Sequence, residues 1–379
     1  MNLVSRVAVF HGPGQPLTLD TVAVPDPGPG EIMVRPEYVT LCRSDINTYA
    51  GKRTEPTPTI LGHEIVGRVT AIGPSFSAPN THETITGPVD ARGHVLALGD
   101  RVTWSIFASN PDSPLSRRGL PQKGDGLLKY GHEPLRADHT LHGGLAEYCL
   151  LRRGTVIVRL GEALPLPVAA LVNCAGATTA GALRMARPDD SVASWQQLRV
   201  LVSGAGMLGT LACAMLHSRG VTDVTVVDVN QERLDVARQF GARTTLVTDE
   251  LVAGNPTGAV GRREVVPFDV ILEFSGAPAA MSASIGLLTT GGVTVWVGGT
   301  FPQPPLALNP EDIIRRLVTI RGLHNYNGAD LLEAAAFLET EHTRYPFADL
   351  VDDAFTLDTV QEAFDNAVGH SAHRVGVRI

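Results

Sequence analysis

The sequence predicts an α/β protein of two domains: one β-rich, the other a doubly wound parallel sheet with helices on both faces. Three observations carry this. The chain has 379 residues, and at roughly 100–200 residues per domain that is two or three domains. In its first third, β-branched runs are separated by Gly and Pro clusters, the pattern of strands and turns. Beyond Leu164 short apolar runs alternate with segments of helical spacing, which implies strand–helix–strand units.

Element by element, 4–10, 31–39 and 64–72 read as strands, and the PDPGPG stretch at 25–30 is a rigid turn. Residues 74–99 are polar and interrupted by Gly and Pro, so 75–99 reads as a surface insertion; 108–143 is loop-like. The Ala-rich stretch 166–186 reads as one helix. Then follow strand 199–203, helix 207–218, strand 224–228 and helix 231–240. Segments 268–274, 279–288 and 293–297 continue the alternation, and 317–322 is a final strand. Helices near 329–339 and 358–368 belong to the tail.

Composition narrows the class. With 44% hydrophobic and 18% charged residues, the chain can bury a sizeable core and is neither disordered nor fibrous. Lys plus Arg number 31 against 39 Asp plus Glu, a net charge of −8. That argues against a nucleic-acid partner and against a basic membrane-surface protein. The four cysteines, Cys42, Cys149, Cys174 and Cys213, are too far apart to read as a secreted disulfide framework. The first ten residues have one Arg and no apolar core, so they are not a signal peptide. No run of about 20 apolar residues exists to span a membrane. The expectation is a cytoplasmic protein with reduced thiols and a small-molecule substrate.

The motif Gly204-Ala-Gly206-Met207-Leu208-Gly209 follows the strand at 199–203 and opens a helix. Gly204 permits the tight turn, Gly206 lets the backbone approach a pyrophosphate, and Gly209 lets helix and strand pack closely. Met207 and Leu208 begin the helix, whose N-terminus offers free N–H groups to phosphate. Asp228 ends the next strand, 24 residues after Gly204, where a carboxylate accepts hydrogen bonds from a ribose hydroxyl. Glycine-rich turns alone are weak signals, but strand, glycines, helix, strand and acid together read as a Rossmann dinucleotide site. Asp228 repels a 2′-phosphate and no Arg follows at 229–231, which favours NAD over NADP.

Cys42-Arg-Ser-Asp45 and Gly62-His63-Glu64 lie in the β-rich part, and Cys174 sits in Asn173-Cys-Ala-Gly-Ala-Thr178 just ahead of the cofactor half. A lone Cys is most often a small buried hydrophobe, and a lone His a loop or core residue. Their conjunction ahead of a Rossmann unit reverses that reading. A zinc that also binds substrate needs three protein ligands and an open position, and two thiolates with one imidazole leave such a site neutral.

At these residues the sequence resembles the zinc-containing medium-chain alcohol dehydrogenases, over nearly the whole chain. Gly62-His63-Glu64-Ile-Val-Gly67-Arg-Val-Thr-Ala-Ile-Gly73 matches their zinc signature through its glycines, with Phe76 in place of the usual closing Val. Two cysteines and a histidine are the known ligand set of alcohol dehydrogenase. The resemblance implies a GroES-like catalytic domain, 1–170 plus 325–379, wrapped around a Rossmann NAD domain at 171–324. It implies one catalytic zinc per chain on Cys42, His63 and Cys174, with Glu64 as a carboxylate able to approach the metal. Asp45 would hold the tautomer of His63, and Ser44 would take the substrate proton. Asn47 stands where the family often has a relay His, and Asn cannot titrate. Arg43 and Arg374 would contact the pyrophosphate, and Thr178 would lie beneath the nicotinamide. The zinc would lower the pKa of an alcohol, whose hydride passes to NAD. A homodimer or homotetramer is implied, with 293–297 as the edge strand that pairs between subunits.

Many relatives carry a structural zinc on the spacing C-x2-C-x2-C-x7-C. Here Asn110, Ser113, Ser116 and Gly124 stand at those places, so no structural zinc is expected. The framing residues, 117–123 and 128–133, with Asn173-Cys174 and His324-Asn325-Tyr326, resemble a subgroup described as phosphonate-catabolism-associated alcohol dehydrogenases. A phosphonate would want Arg or Lys. Arg117, Arg118, Lys123 and Lys129 are candidates by type, against the simpler reading of a solvated basic loop. His324 and Asn325 are candidate substrate contacts at the end of the last Rossmann strand. The reading is a zinc-dependent oxidoreductase moving a hydride between NAD(H) and a small polar alcohol, with a hydroxyalkyl phosphonate as one candidate substrate. A polyol or amino alcohol is the alternative. A non-catalytic NAD-binding protein is opposed by the joint presence of Cys42, Ser44, His63 and Cys174.

Overall fold

The structure is a computed structural model that describes residues 3–74, 76–77, 84–85, 88–136, 140–186, 195–248, 259–260, 263–264, 266–369 and 372–379. Its contacts divide the chain into two units. The first comprises Met1–Ala177, Asn327–His342 and Phe347–Ile379; the second comprises Thr178–Tyr326 and Thr343–Pro346.

The first unit is built on a sheet in the order Thr155–Arg159, Arg101–Ala108, Glu64–Ile72, Ile32–Leu41, Arg374–Arg378, Val351–Thr356. Strand Arg101–Ala108 is buried along its whole length although Arg101–Ile106 alternates polar and apolar residues; the buried hydroxyls of Thr103 and Ser105 donate to the carbonyls of Ile65 and Phe107. Val39, Ile65, Val102, Trp104, Leu145 and Phe364 share one apolar core, so the tail and the first third fold together. The Cys42-Arg-Ser-Asp45 motif does not lie on a strand. It opens a short helix, Arg43–Tyr49, with Cys42 at the N-cap (φ −72°, ψ 157°), where the Asp45 carboxylate accepts the Cys42 N–H at 3.0 Å.

The expected single helix at 166–186 is instead an α-helix, Leu166–Ala170, a π turn, Val172–Gly176, and a second α-helix, Ala177–Ala186. The Gly176 N–H donates to the Leu171 carbonyl at 2.8 Å, five residues back, which widens the turn that carries Cys174. Ala-rich propensity reads the helical stretch but not the extra residue, because side-chain bonds to neighbouring strands hold the wider turn. Of the 75–99 insertion, residues 75, 78–83 and 86–87 lie outside the described residues. The 108–143 stretch holds a short helix, Pro114–Arg117, and a short strand, Leu128–Lys129.

The second unit is an all-parallel six-stranded sheet in the order Thr244–Val247, Asp223–Asp228, Arg199–Ser203, Phe268–Glu273, Leu288–Trp296, Thr319–Gly322. In chain order that is 3-2-1-4-5-6, the doubly wound arrangement whose switch point lies between its first and fourth strands. One expectation is corrected here. Residues 293–295 pair with Phe268–Glu273 on one side and Thr319–Gly322 on the other, so the 293–297 run is no edge. The chain returns once more through helix Pro310–Arg315, and Thr319–Gly322 becomes the outer strand. Cys149 and Cys213 are buried on a strand and a helix. Among the described residues no helix is long and apolar enough to cross a membrane.

Candidate metal and cofactor sites

In the first unit the fold brings Cys42, His63 and Cys174 together, their donor atoms all within 4.8 Å of one another. The three come from the N-cap of helix Arg43–Tyr49, the residue before strand Glu64–Ile72, and the π turn. A tetrahedral zinc with ordinary bond lengths needs donors roughly 3.5–4 Å apart. Asp45 is buried and its Oδ1 lies 3.1 Å from His63 Nδ1. The same carboxylate accepts the N–H groups of Cys42 and Gly62, at 3.0 and 3.2 Å. With Nδ1 donating to Asp45, the lone pair of Nε2 is available to a metal, and Ser44 Oγ lies 3.3 Å from that nitrogen. Two thiols and a correctly oriented imidazole fit zinc.

Of the three donors, the surroundings drive only Cys42 toward its ligating form. A hydrogen bond with Cys174 holds the Cys42 thiol well below the usual range; burial opposes it, while Arg374 and His63 help. The same hydrogen bond, with burial, pushes Cys174 up. Burial disfavours the His63 imidazolium, but Asp45 and Cys42 outweigh it and push His63 up.

Glu64 is fully buried and paired with Arg374: Arg374 Nε donates to Oε2 at 2.7 Å and Nη2 donates to Oε1 at 2.9 Å. Thr40 Oγ1 adds a third bond at 2.6 Å. Burial still raises the Glu64 carboxyl, against the pull of Arg374. Arg374 also donates from Nη1 to the His373 carbonyl and sits 3.8 Å from Cys42 Sγ, so most of its N–H groups are engaged within the unit. Arg43 and Asn47 lie on the same short helix as Ser44, Arg43 exposed and Asn47 half-buried.

Two neighbours of the cluster, both within segments marked by the subgroup resemblance, make contacts that sequence reasoning does not reach. The ring of His132 packs against that of His63, centroids 4.8 Å apart, with its Nδ1 3.2 Å from Glu55. Glu55 is in turn paired with Arg53. Asn173 is fully buried, and its side chain bonds the backbones of His63, Ile65 and Trp104. Apart from that resemblance, the one signal for Asn173 is a buried-type position holding an amide beside a cysteine.

Three of the four residues standing at the structural-zinc spacing, Ser113, Ser116 and Gly124, converge. A Cβ on Gly124 would lie 2.7 Å from both Ser113 Oγ and Ser116 Oγ, and those hydroxyls are hydrogen-bonded at 2.9 Å. Asn110 Oδ1 accepts the Asp112 N–H at 2.9 Å. Ser113 caps helix Pro114–Arg117. Of the basic residues, Arg117 is exposed and lies 3.3 Å from Asp112, Arg118 and Lys123 are exposed, and Lys129 is half-buried.

In the second unit the glycine motif sits at the switch point. Gly204 has φ +98°, a conformation L side chains rarely adopt. A Cβ on Gly209 would stand 1.9 Å from the Gly204 carbonyl oxygen, whereas one on Gly206 would meet nothing within 4 Å. That open space in front of the Met207–Ser218 helix is where a pyrophosphate fits. Asp228 Oδ2 accepts the Ala205 N–H at 2.6 Å and Oδ1 accepts the Asn230 N–H at 2.9 Å. The carboxylate therefore holds the loop and keeps further lone pairs for a ribose. Buried Glu273 braces the facing loop through Ser203, Ser275 and Gly276, and burial raises its carboxyl. Thr178, His324 and Asn325 are half-buried in this unit, Asn325 with φ +60°.

A cysteine–histidine centre beside a hydroxyl, and a separate dinucleotide loop on a doubly wound sheet, define an oxidoreductase of the dehydrogenase class. The chain belongs to the zinc-containing medium-chain alcohol dehydrogenase family. The family profile described as "Alcohol dehydrogenase GroES-like domain" matches residues 28–161, and that described as "Zinc-binding dehydrogenase" matches 208–340. An L-threonine 3-dehydrogenase of Deinococcus deserti is 27% identical over 361 residues, covering 93% of this chain and 92% of its own. A D-altritol 5-dehydrogenase of Agrobacterium fabrum is 28% identical, covering 85% of each chain. The crystal structure of an alcohol dehydrogenase from Thermotoga maritima, 23% identical, covers 99% of both chains with a TM-score of 0.86, a likeness of fold.

Proposed function

We propose that this protein is a zinc- and NAD-dependent dehydrogenase that interconverts a small polar alcohol and its carbonyl. The convergence of Cys42, His63 and Cys174 on one point, with Asp45 on the far nitrogen of His63, carries the reading. Zinc held there supplies Lewis-acid polarisation of an alcohol oxygen and lowers its pKa. Ser44 accepts the substrate hydroxyl proton and passes it outward. Asn47, one helical turn along, stands where the family often has a relay His and does not titrate. The glycine loop and the Met207–Ser218 helix hold the pyrophosphate, and NAD supplies the hydride acceptor. Asp228 takes the ribose hydroxyls and disfavours a 2′-phosphate, hence NAD rather than NADP.

The relatives named for threonine and altritol favour a polyol or amino alcohol over a hydroxyalkyl phosphonate. The catalytic domain of this reading is 1–170 with 325–379 together with the π turn that carries Cys174, the NAD domain is the remainder of 171–324, and the protein acts as a homodimer or homotetramer.

The test joins metal analysis, NADH fluorescence and a substrate panel of polyols, amino alcohols, simple alcohols and hydroxyalkyl phosphonates. One zinc per chain and turnover on the panel are expected. Cys42→Ser abolishes turnover and leaves NADH binding intact; unchanged turnover rules out the metal assignment. NADH binding with no turnover on any alcohol replaces it with a non-catalytic binding protein.

A further inference from the structure

Strands Glu64–Ile72 and Arg101–Ala108 pair through Gly67 with Val102 and Arg68 with Arg101. Toward His63 that pairing does not continue, and side chains fill the gap. Thr103 Oγ1 donates to the Ile65 carbonyl at 2.8 Å. Asn173 Nδ2 donates to the carbonyls of His63 at 2.8 Å and Trp104 at 3.1 Å, while its Oδ1 accepts the Ile65 N–H at 3.3 Å. Both amide protons and the amide oxygen are used. The side chain thus behaves as a peptide group inserted between two strands. It grips the main chain on either side of Glu64, 110 positions away in sequence from His63.

Its place in the chain gives this a consequence. Asn173 immediately precedes Cys174 in the π turn, so one amide ties the backbone of one donor to the backbone carrying the other. A buried amide with no such duty is more cheaply replaced by an apolar side chain of the same size. We propose that Asn173 is a positioning residue for the metal: its amide clamps His63 to the π turn and so sets the spacing of the His63 and Cys174 donors. The proposal rests on the zinc reading above.

The test measures zinc affinity by competition with a chromophoric chelator, the absorption spectrum of the cobalt-substituted protein, and the thermal midpoint of the metal-free protein. Asn173→Ala removes all three bonds. Asn173→Asp keeps the volume and the acceptor for Ile65 but sets oxygen against two carbonyls. Thr103→Val removes a bond in the same gap that does not reach a donor residue. Both Asn173 variants are expected to weaken zinc about 10–100-fold, as loss of groups that orient ligands does, and to shift the cobalt bands. Thr103→Val lowers the thermal midpoint and moves neither. Zinc affinity within about twofold of wild type in both Asn173 variants, or an equal loss in Thr103→Val, overturns the clamp. A wild type that takes up no zinc overturns the metal reading itself, and the clamp with it.

Discussion

The three glycines of the dinucleotide loop offer a test in which stability and cofactor binding separate. At Gly206 the backbone has φ −74° and ψ −169°, and a Cβ meets nothing within 4 Å. Alanine there gains about 0.4–1 kcal/mol by narrowing the unfolded ensemble. It loses a similar amount because Ala is a poor N-cap. The net effect on the thermal midpoint is close to zero. Yet the new methyl enters the space a pyrophosphate must approach. Gly206→Ala should weaken NADH at least about tenfold, or ~1.4 kcal/mol. Gly209→Ala behaves oppositely in its first effect. Its Cβ would lie 1.9 Å from the Gly204 carbonyl oxygen and 3.2 Å from Val202 Cγ1, and backbone must move to admit it. Overpacking of this kind costs about 1–3 kcal/mol, and each kcal/mol lowers the midpoint by roughly 2–4 °C in a domain of this size. Gly204→Ala adds a left-handed penalty of about 1–2 kcal/mol at φ +98°. Thermal melts and NADH fluorescence titrations on the three variants decide the matter. Wild-type NADH affinity in Gly206→Ala refutes the placing of the pyrophosphate. An unchanged midpoint in Gly209→Ala refutes the close helix–strand contact.

Two further perturbations bear on the charged residues. Asp228→Ser removes the acceptor of the Ala205 N–H and the repulsion of a 2′-phosphate, so NADH weakens and the ratio of NADPH to NADH affinity rises at least about tenfold (~1.4 kcal/mol); a wild type that binds both cofactors equally refutes the carboxylate logic. Arg374→Met leaves Glu64 buried without its partner, at a cost of about 3–5 kcal/mol in denaturant unfolding. The double variant with Glu64→Gln should recover part of that loss, and a single variant as stable as wild type shows that Glu64 does not depend on Arg374.

The parallel sheet was readable because each element carries its own signal. The apolar run Arg199–Ser203 and the helix Met207–Ser218 need no distant partner to show their period. Strands of the first unit are less self-evident. Thr18–Ala23 is mostly exposed and pairs with Val4–Val9, yet no strand is read there from the sequence. Arg374–Arg378 forms because Ile32–Leu41 offers it an antiparallel edge from the far end of the chain. β-propensity depends on such neighbours, and a sequence pattern does not name them.

The same distinction runs through the site. That Cys42, His63 and Cys174 belong together is legible in residue chemistry and resemblance, and the fold brings them together. What holds them is not legible there, because it depends on sheet register. Val375 lies opposite Leu41, and Thr40 opposite Glu64. That register brings Arg374 level with Cys42 and within reach of Glu64, where it forms a buried pair. Read from sequence, Arg374 is a cation available to a pyrophosphate; in the fold, Glu64 and the His373 carbonyl take most of its donors. Asn173 is the parallel case. Its amide is needed only because two strands part near His63 and leave backbone groups to satisfy, and that parting is a property of the assembled sheet. Donor identity is therefore local information, whereas donor spacing is written in pairings between segments more than a hundred residues apart.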